Sequence, residues 1–195
     1  TYKGITCYVN STNRCSCACT FCLRNTKEML ESNSLWLKRE PTVEMIIAEF
    51  EKYDLTAFKE VVFCGFGEPL TRHDDLMKVA KYIKEKRSDL SIRINTNGLS
   101  SITLGRDIAP DFKGVIDTVS ISLNAPTKEE YYELTRACYG VDSFNYMLQF
   151  TKACKKYVPS VVLTVVDIIG VEKIKLCQKI ADGLGVELRV RPFEE

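Results

Sequence analysis

Short β-branched runs alternate with helical patterns along this chain, and that alternation restricts the fold more than any other feature. The strand candidates are residues 5–10, 60–64, 91–95, 118–123, 160–166 and 187–191, each rich in Val, Ile, Leu or Ser. Amphipathic helical stretches are expected at 43–52, 75–86, 128–138 and 172–184, with a shorter one at 102–112. Thr127 with Glu130 fits a capping box before the third of these, and Ser143 is read as the cap of a further helix carrying Phe144, Met147 and Leu148. Strands separated by helices pair in parallel, because a parallel neighbour needs a crossover. Six strands are too few for the closed eight-stranded barrel. An open doubly wound sheet or an incomplete barrel remains.

The strand faces favour the barrel. Ser120, Ser122 and Asn124 alternate with Val119, Ile121 and Leu123. Arg93, Asn95 and Asn97 alternate with Ile92 and Ile94, and Arg189 and Arg191 with Leu188 and Val190. Side chains alternate faces with period two, so one face packs helices and the other lines a polar lumen. The competing reading is that these are strand ends reaching solvent. The expected architecture is α/β, a partial, laterally open (β/α)6 barrel resembling the TIM fold, forming one domain over residues 1–195.

Charge narrows the partners. With 27 Lys+Arg against 26 Asp+Glu, the chain lacks the basic excess of a nucleic-acid binder. No apolar run approaches the ~20 residues of a membrane helix, and the start carries no secretory pattern. A cytoplasmic location without membrane partners is the expectation.

Four of the nine cysteines, Cys15, Cys17, Cys19 and Cys22, fall in one short loop after the first strand. Clustered thiols in such a chain point to metal or redox chemistry. Cys15, Cys19 and Cys22 make C-x3-C-x2-C, and three thiolates on a four-iron cube leave one iron open to a ligand. Structural zinc is an alternative, although His73 is the only histidine and there is no second Cys pair of the usual spacing. A thioredoxin-like pair, or an iron–sulfur electron carrier, are others.

The spacing, with Phe21 just before the last Cys, resembles the signature of the radical S-adenosylmethionine (radical SAM) superfamily. The second strand candidate runs into Cys64-Gly65-Phe66-Gly67-Glu68-Pro69, which is similar to the family's Gly-Gly-Glu-Pro turn with Phe66 replacing a glycine. Asn95-Thr96-Asn97-Gly98 ends the third strand; it is either a ribose contact or a plain Asn-Gly turn. Ser122-Leu123-Asn124 ends the fourth and resembles the family's Ser-Leu-Asp/Asn. The resemblance implies an iron–sulfur enzyme with Cys15, Cys19 and Cys22 on a [4Fe-4S] cluster; Cys17 is surplus to the spacing, either a bystander or a competitor for the cluster, and a bystander is the expectation. It implies S-adenosylmethionine held by Phe21, Gly65, Phe66, Gly67, Glu68, Asn95, Asn97, Ser122, Asn124 and Val166. The expected reaction is reductive cleavage to methionine and a 5′-deoxyadenosyl radical that abstracts hydrogen from a substrate. Arg189 and Arg191 are candidates for an anionic substrate group, against the alternative that nearby Glu residues balance them. A flavodoxin or ferredoxin is expected as electron donor, with a small molecule, protein or peptide as substrate. The Phe-Cys-Gly-Phe-Gly-Glu-Pro phrase and the Arg-Val-Arg-Pro ending are similar to a small subgroup associated with TatD-type hydrolases. Cys64 is expected as a buried small hydrophobe and His73 as a surface or helix-start residue.

Overall fold

The computed structural model describes residues 4–26 and 35–193, so part of the expected 1–195 domain lies outside the described residues. Among the described residues, six strands form one parallel sheet in sequence order: β1 (Ile5–Val9), β2 (Phe58–Phe63), β3 (Ser91–Thr96), β4 (Thr118–Ser122), β5 (Ser160–Val166) and β6 (Glu187–Arg191). β1 and β6 do not pair, so the partial (β/α)6 barrel stays open along one side.

Register decides the faces. Arg93 pairs with Thr118, Asn95 with Ser120, Ser122 with Thr164, Thr164 with Arg189 and Val166 with Arg191. Paired residues on neighbouring strands point the same way. The polar positions therefore share one concave face, as the lumen reading requires. The opposite face carries Val61, Ile92, Ile94, Val119, Ile121, Leu163 and Val165, all fully buried. Against it pack α3 (His73–Lys86) through Val79, Ala80 and Ile83, α6 (Ser143–Cys154) through Met147 and Phe150, and α7 (Val171–Leu184) through Cys177 and Ala181. Each large aliphatic or aromatic side chain buried here contributes about 1.5–3 kcal/mol. The remaining helices are α1 (Leu23–Thr26), α2 (Val43–Phe50), α4 (Ser100–Leu104) and α5 (Lys128–Thr135). Among the described residues no helix is long and apolar enough to cross a membrane.

Three local expectations change. The stretch 102–112 is not one helix: α4 stops at Gly105, whose φ is +67°, and a separate 3-10 turn, Ala109–Phe112, starts around Pro110, which has no N–H to continue a ladder. Helix 128–138 ends early because Arg136 turns left-handed at φ +46°. Ser143 is the first residue of α6 rather than its cap, and its buried hydroxyl has no hydrogen-bond partner. Thr127 does cap α5, accepting from the Glu130 N–H at 3.3 Å.

Candidate active site

The cysteine loop leaves β1 and is held from both sides. On one side Asn13 Nδ2 donates to the Leu37 carbonyl at 2.8 Å, and the Leu37 N–H returns a bond to Asn13 Oδ1. Arg14 grips Glu40 through two bonds of 2.9 Å. Arg72, with a side chain only 10% exposed, donates to the carbonyls of Ser11 (2.8 Å) and Pro41 (2.6 Å) and pairs with Asp75. On the other side the carbonyls at the end of α5 catch the loop: Ala18 N–H donates to Thr135 O and Thr20 N–H to Leu134 O, both at 2.9 Å. Cys138 N–H donates back to Ser16 O. Carbonyls left over at a helix C-terminus are ready acceptors, and here the loop supplies the donors.

Gly67 sits beneath the loop. A Cβ there would overlap the Thr12 carbonyl and come within 2.8 Å of that of Arg14, and Glu68 N–H donates to Arg14 O at 2.7 Å. Glycine is required because backbone meets backbone. At Gly65, φ is +153° and a Cβ would run into the Asn10 side chain. Phe66 turns its ring against Trp36, with centroids 5.1 Å apart, and forms a cavity wall where the family pattern has glycine.

The Glu68 carboxylate is fully buried and ties β2 to β3. Oε1 accepts from Leu70 N–H (3.1 Å) and Thr96 Oγ1 (2.7 Å), and Oε2 accepts from Asn97 N–H (2.7 Å). Burial pushes its pKa up to about 7, against the hydrogen bonds that favour the ionised form. Asn97 then reaches the cysteines: its Nδ2 lies 3.0 Å from Ser16 Oγ, 3.6 Å from Cys17 Sγ and 3.7 Å from Cys15 Sγ.

The thiols divide by role. Cys17 is buried, and hydrogen bonds to Cys15 and Cys19 together with burial hold its thiol far above the usual range. The same bonds pull Cys15 and Cys19 down, with Arg24 helping both. Cys17 is thus held toward the protonated form, and Cys15 and Cys19 toward the thiolate, the form that binds metal. Burial raises Cys22. Three thiols gathered in one short loop on the rim of a cavity are the donor type that an iron–sulfur cluster takes.

One cavity of about 460 Å³, within the size range of small-molecule sites, gathers the strand ends. Its lining includes Cys15, Cys19 and Cys22 and all ten residues expected to hold a cofactor: Phe21, Gly65, Phe66, Gly67, Glu68, Asn95, Asn97, Ser122, Asn124 and Val166. Arg191 lines it too. Arg189 lies one pleat deeper on the same sheet face and is not part of the lining. The Oδ1 atoms of Asn95 and Asn124 are buried without partners, and Asn124 adopts φ +60°. Such orphaned acceptors are matched by a ligand with hydroxyl or ammonium donors.

Sequence reasoning missed Tyr131 and Thr135, which line the same cavity from α5. Tyr131 is fully buried, its hydroxyl has no partner, and burial above all keeps the phenol protonated. The only available signal was a Tyr in an amphipathic helix, which reads as core. Cys64 is not sealed in the core: it borders the cavity, and burial raises its thiol to about 11. His73 does start α3, yet it is 3% exposed, packed on Phe112 and flanked by Asp74 and Asp111.

Residues 9–177 match the family model of the radical SAM superfamily. A curated relative from Thermococcus kodakarensis, named as a probable GTP 3′,8-cyclase, is 30% identical over 155 residues, covering 80% of this chain and 45% of its own. Another, from Methanocaldococcus jannaschii and named for glycyl-radical enzyme activation, is 31% identical over 143 residues, 73% of this chain and 53% of its own. The chain thus spans about half the length of the curated relatives it matches. The crystal structure of methylornithine synthase superposes with a TM-score of 0.71 at 17% identity, over 98% of this chain and 54% of that one.

Proposed function

This chain belongs to the radical SAM superfamily, an enzyme family that works with a [4Fe-4S] cluster and S-adenosylmethionine, and from that premise we propose that Cys15, Cys19 and Cys22 hold the cluster. The cofactor pair supplies one-electron reductive cleavage of S-adenosylmethionine, the source of a hydrogen-abstracting carbon radical. The observation that carries the assignment is the meeting of the C-x3-C-x2-C thiols with the ends of β2, β3, β4 and β5 around one cavity.

The chain's own groups divide the work. Gly67 lets the cysteine loop lie directly on the β2 turn. Glu68, on the cavity lining, locks that turn to Thr96 and Asn97. The free acceptors Asn95 and Asn124, with the Ser122 hydroxyl, receive the hydroxyl and ammonium donors of S-adenosylmethionine. Phe21, Phe66 and Val166 provide the apolar wall that excludes water from its base and sulfonium. Arg191, at the rim, meets an anionic group of the substrate, and Arg189 supports it from the same sheet face. The described residues act as one catalytic core, and an external one-electron donor of the flavodoxin or ferredoxin kind reduces the cluster. The substrate is a small molecule or a peptide whose hydrogen is abstracted in the lumen; the names of the two curated relatives concern different chemistries and do not choose between them.

The test is an anaerobic assay of reconstituted protein with dithionite and S-adenosylmethionine, following 5′-deoxyadenosine by mass. Formation by the wild type and its loss in Cys19→Ala are expected. A wild type that binds no four-iron cluster refutes the ligand assignment.

A further inference from the structure

The Asn97 amide faces the cysteine loop and the Tyr131 hydroxyl lies on the same cavity as its thiols; the proposed cofactor contacts use neither donor. The first is the Asn97 amide. Its Oδ1 accepts from Leu99 N–H at 3.0 Å, which fixes the amide so that Nδ2 faces the thiols. An NH2 group carries two hydrogens. Ser16 Oγ takes one at 3.0 Å, and the other is directed to the Cys17 and Cys15 sulfurs at 3.6 and 3.7 Å. The Asn97 backbone is itself anchored on Glu68.

The second is Tyr131. Its ring packs on Phe144 with centroids 5.7 Å apart, and its hydroxyl borders the cavity with no partner. The helix that bears it is stitched to the cysteine loop one turn later, through the Thr135 and Leu134 carbonyls. The position of this buried phenol relative to the thiols is therefore set by backbone hydrogen bonds rather than by a mobile surface. A buried hydroxyl without a partner is costly, so the site favours a ligand that turns an acceptor toward it.

We propose that Asn97 and Tyr131 are positioning residues that hydrogen-bond the sulfur atoms of the bound cluster and raise its reduction potential. The inference rests on the assignment of Cys15, Cys19 and Cys22 as ligands. One-electron reduction adds negative charge to the cluster, most of it felt at the sulfurs. Donors aimed at sulfur stabilise the reduced form over the oxidised one. Without them the cluster is harder to reduce, and the physiological electron donor transfers to it less readily.

The experiment compares anaerobically reconstituted wild type, Tyr131→Phe and Asn97→Asp, without S-adenosylmethionine. Tyr131→Phe removes only the hydroxyl. Asn97→Asp keeps the acceptor for Leu99 and removes the donor. Midpoint potentials come from EPR-monitored redox titration, and exchangeable deuterons near the reduced cluster from pulsed EPR in D2O. Each substitution is expected to move the potential in the negative direction and to remove a deuteron coupling, at unchanged iron content per cluster. For Tyr131→Phe, which changes no charge, a purely structural role would lower occupancy but leave the potential of the loaded fraction where it was; for Asn97→Asp, whose new carboxylate shifts the potential by itself, the loss of the deuteron coupling is the deciding readout. Should Asn97→Asp not load, Tyr131→Phe alone decides the question. A wild-type four-iron cluster whose potential and deuteron couplings survive Tyr131→Phe overturns this inference while leaving the ligand assignment standing. Absence of that cluster from the wild type overturns the assignment itself.

Discussion

Replacing Glu68 by Gln tests the joint on which the site is built. The carboxylate accepts two backbone N–H groups and one hydroxyl, at 2.7–3.1 Å, in full burial. In the protonated wild type, Oε1–H can turn toward Thr96 Oγ1, which then accepts from both Glu68 and Gly98 N–H while its own hydrogen gives up its bond, and both N–H donors keep an acceptor. Glutamine cannot match this. With its NH2 at the Oε1 position it faces Leu70 N–H; at the Oε2 position it faces Asn97 N–H. Either way one buried backbone donor is orphaned, at about 1–3 kcal/mol. For a chain of this size a loss of about 2 kcal/mol lowers Tm by roughly 4–8 °C. The pH dependence gives a second handle. In the unfolded chain Glu68 ionises near the ordinary value of about 4.3, whereas the folded pKa is about 7. Between these the unfolded state has lost a proton that the folded state keeps, so this group's contribution to stability is full below about pH 4.3 and is lost as pH rises toward 7. The gap corresponds to roughly 3 kcal/mol. Urea denaturation of the cluster-free protein from pH 4.5 to 7.5 measures it: the stability advantage of wild type over Glu68→Gln should fall by roughly 3 kcal/mol with rising pH, enough to bring the variant level with wild type or above it at the top of the range. A difference that is constant across the range, or a variant as stable as wild type at pH 4.5, would falsify the reasoning.

Further predictions concern the cysteine loop. Cys17→Ala should retain iron and the cluster absorbance while Cys19→Ala loses both; equal iron content in the two variants sinks the assignment of Cys17 as a bystander. Gly67→Ala drives a Cβ into the Thr12 carbonyl, and since backbone cannot swing aside, the variant should destabilise the fold by about 2 kcal/mol or more and fail to load iron. Arg72→Ala strips the Ser11 and Pro41 carbonyls of their shared cation. A loss of about 2–4 kcal/mol in chemical denaturation is expected, with reduced cluster occupancy, and an unchanged unfolding midpoint would show that the loop holds itself.

The periodicities of strands and helices, the parallel order and the positions of the cysteine, Gly-Glu-Pro and Ser-Leu-Asn motifs were all legible in the residues alone, because each is a local pattern of side-chain spacing or backbone freedom. The polar lumen was legible too, since period-two alternation survives folding unchanged. What the chain's linear order hides is how distant groups use one another. Glu68 looks like a ligand-binding carboxylate, and nothing in its neighbours along the chain shows that it also ties the β2 turn to Thr96 and Asn97, 28 and 29 residues away. Tyr131 reads as an ordinary core aromatic; only the stitching of α5 to the cysteine loop brings its hydroxyl to the cavity. Arg189 and Arg191 look equivalent, and strand depth separates them. The break at Gly105 and Pro110 was written in the residues but masked by the apolar spacing around it. Local preference is a property of the sequence, whereas hydrogen-bond partnership across a barrel exists only once the strands have been laid side by side.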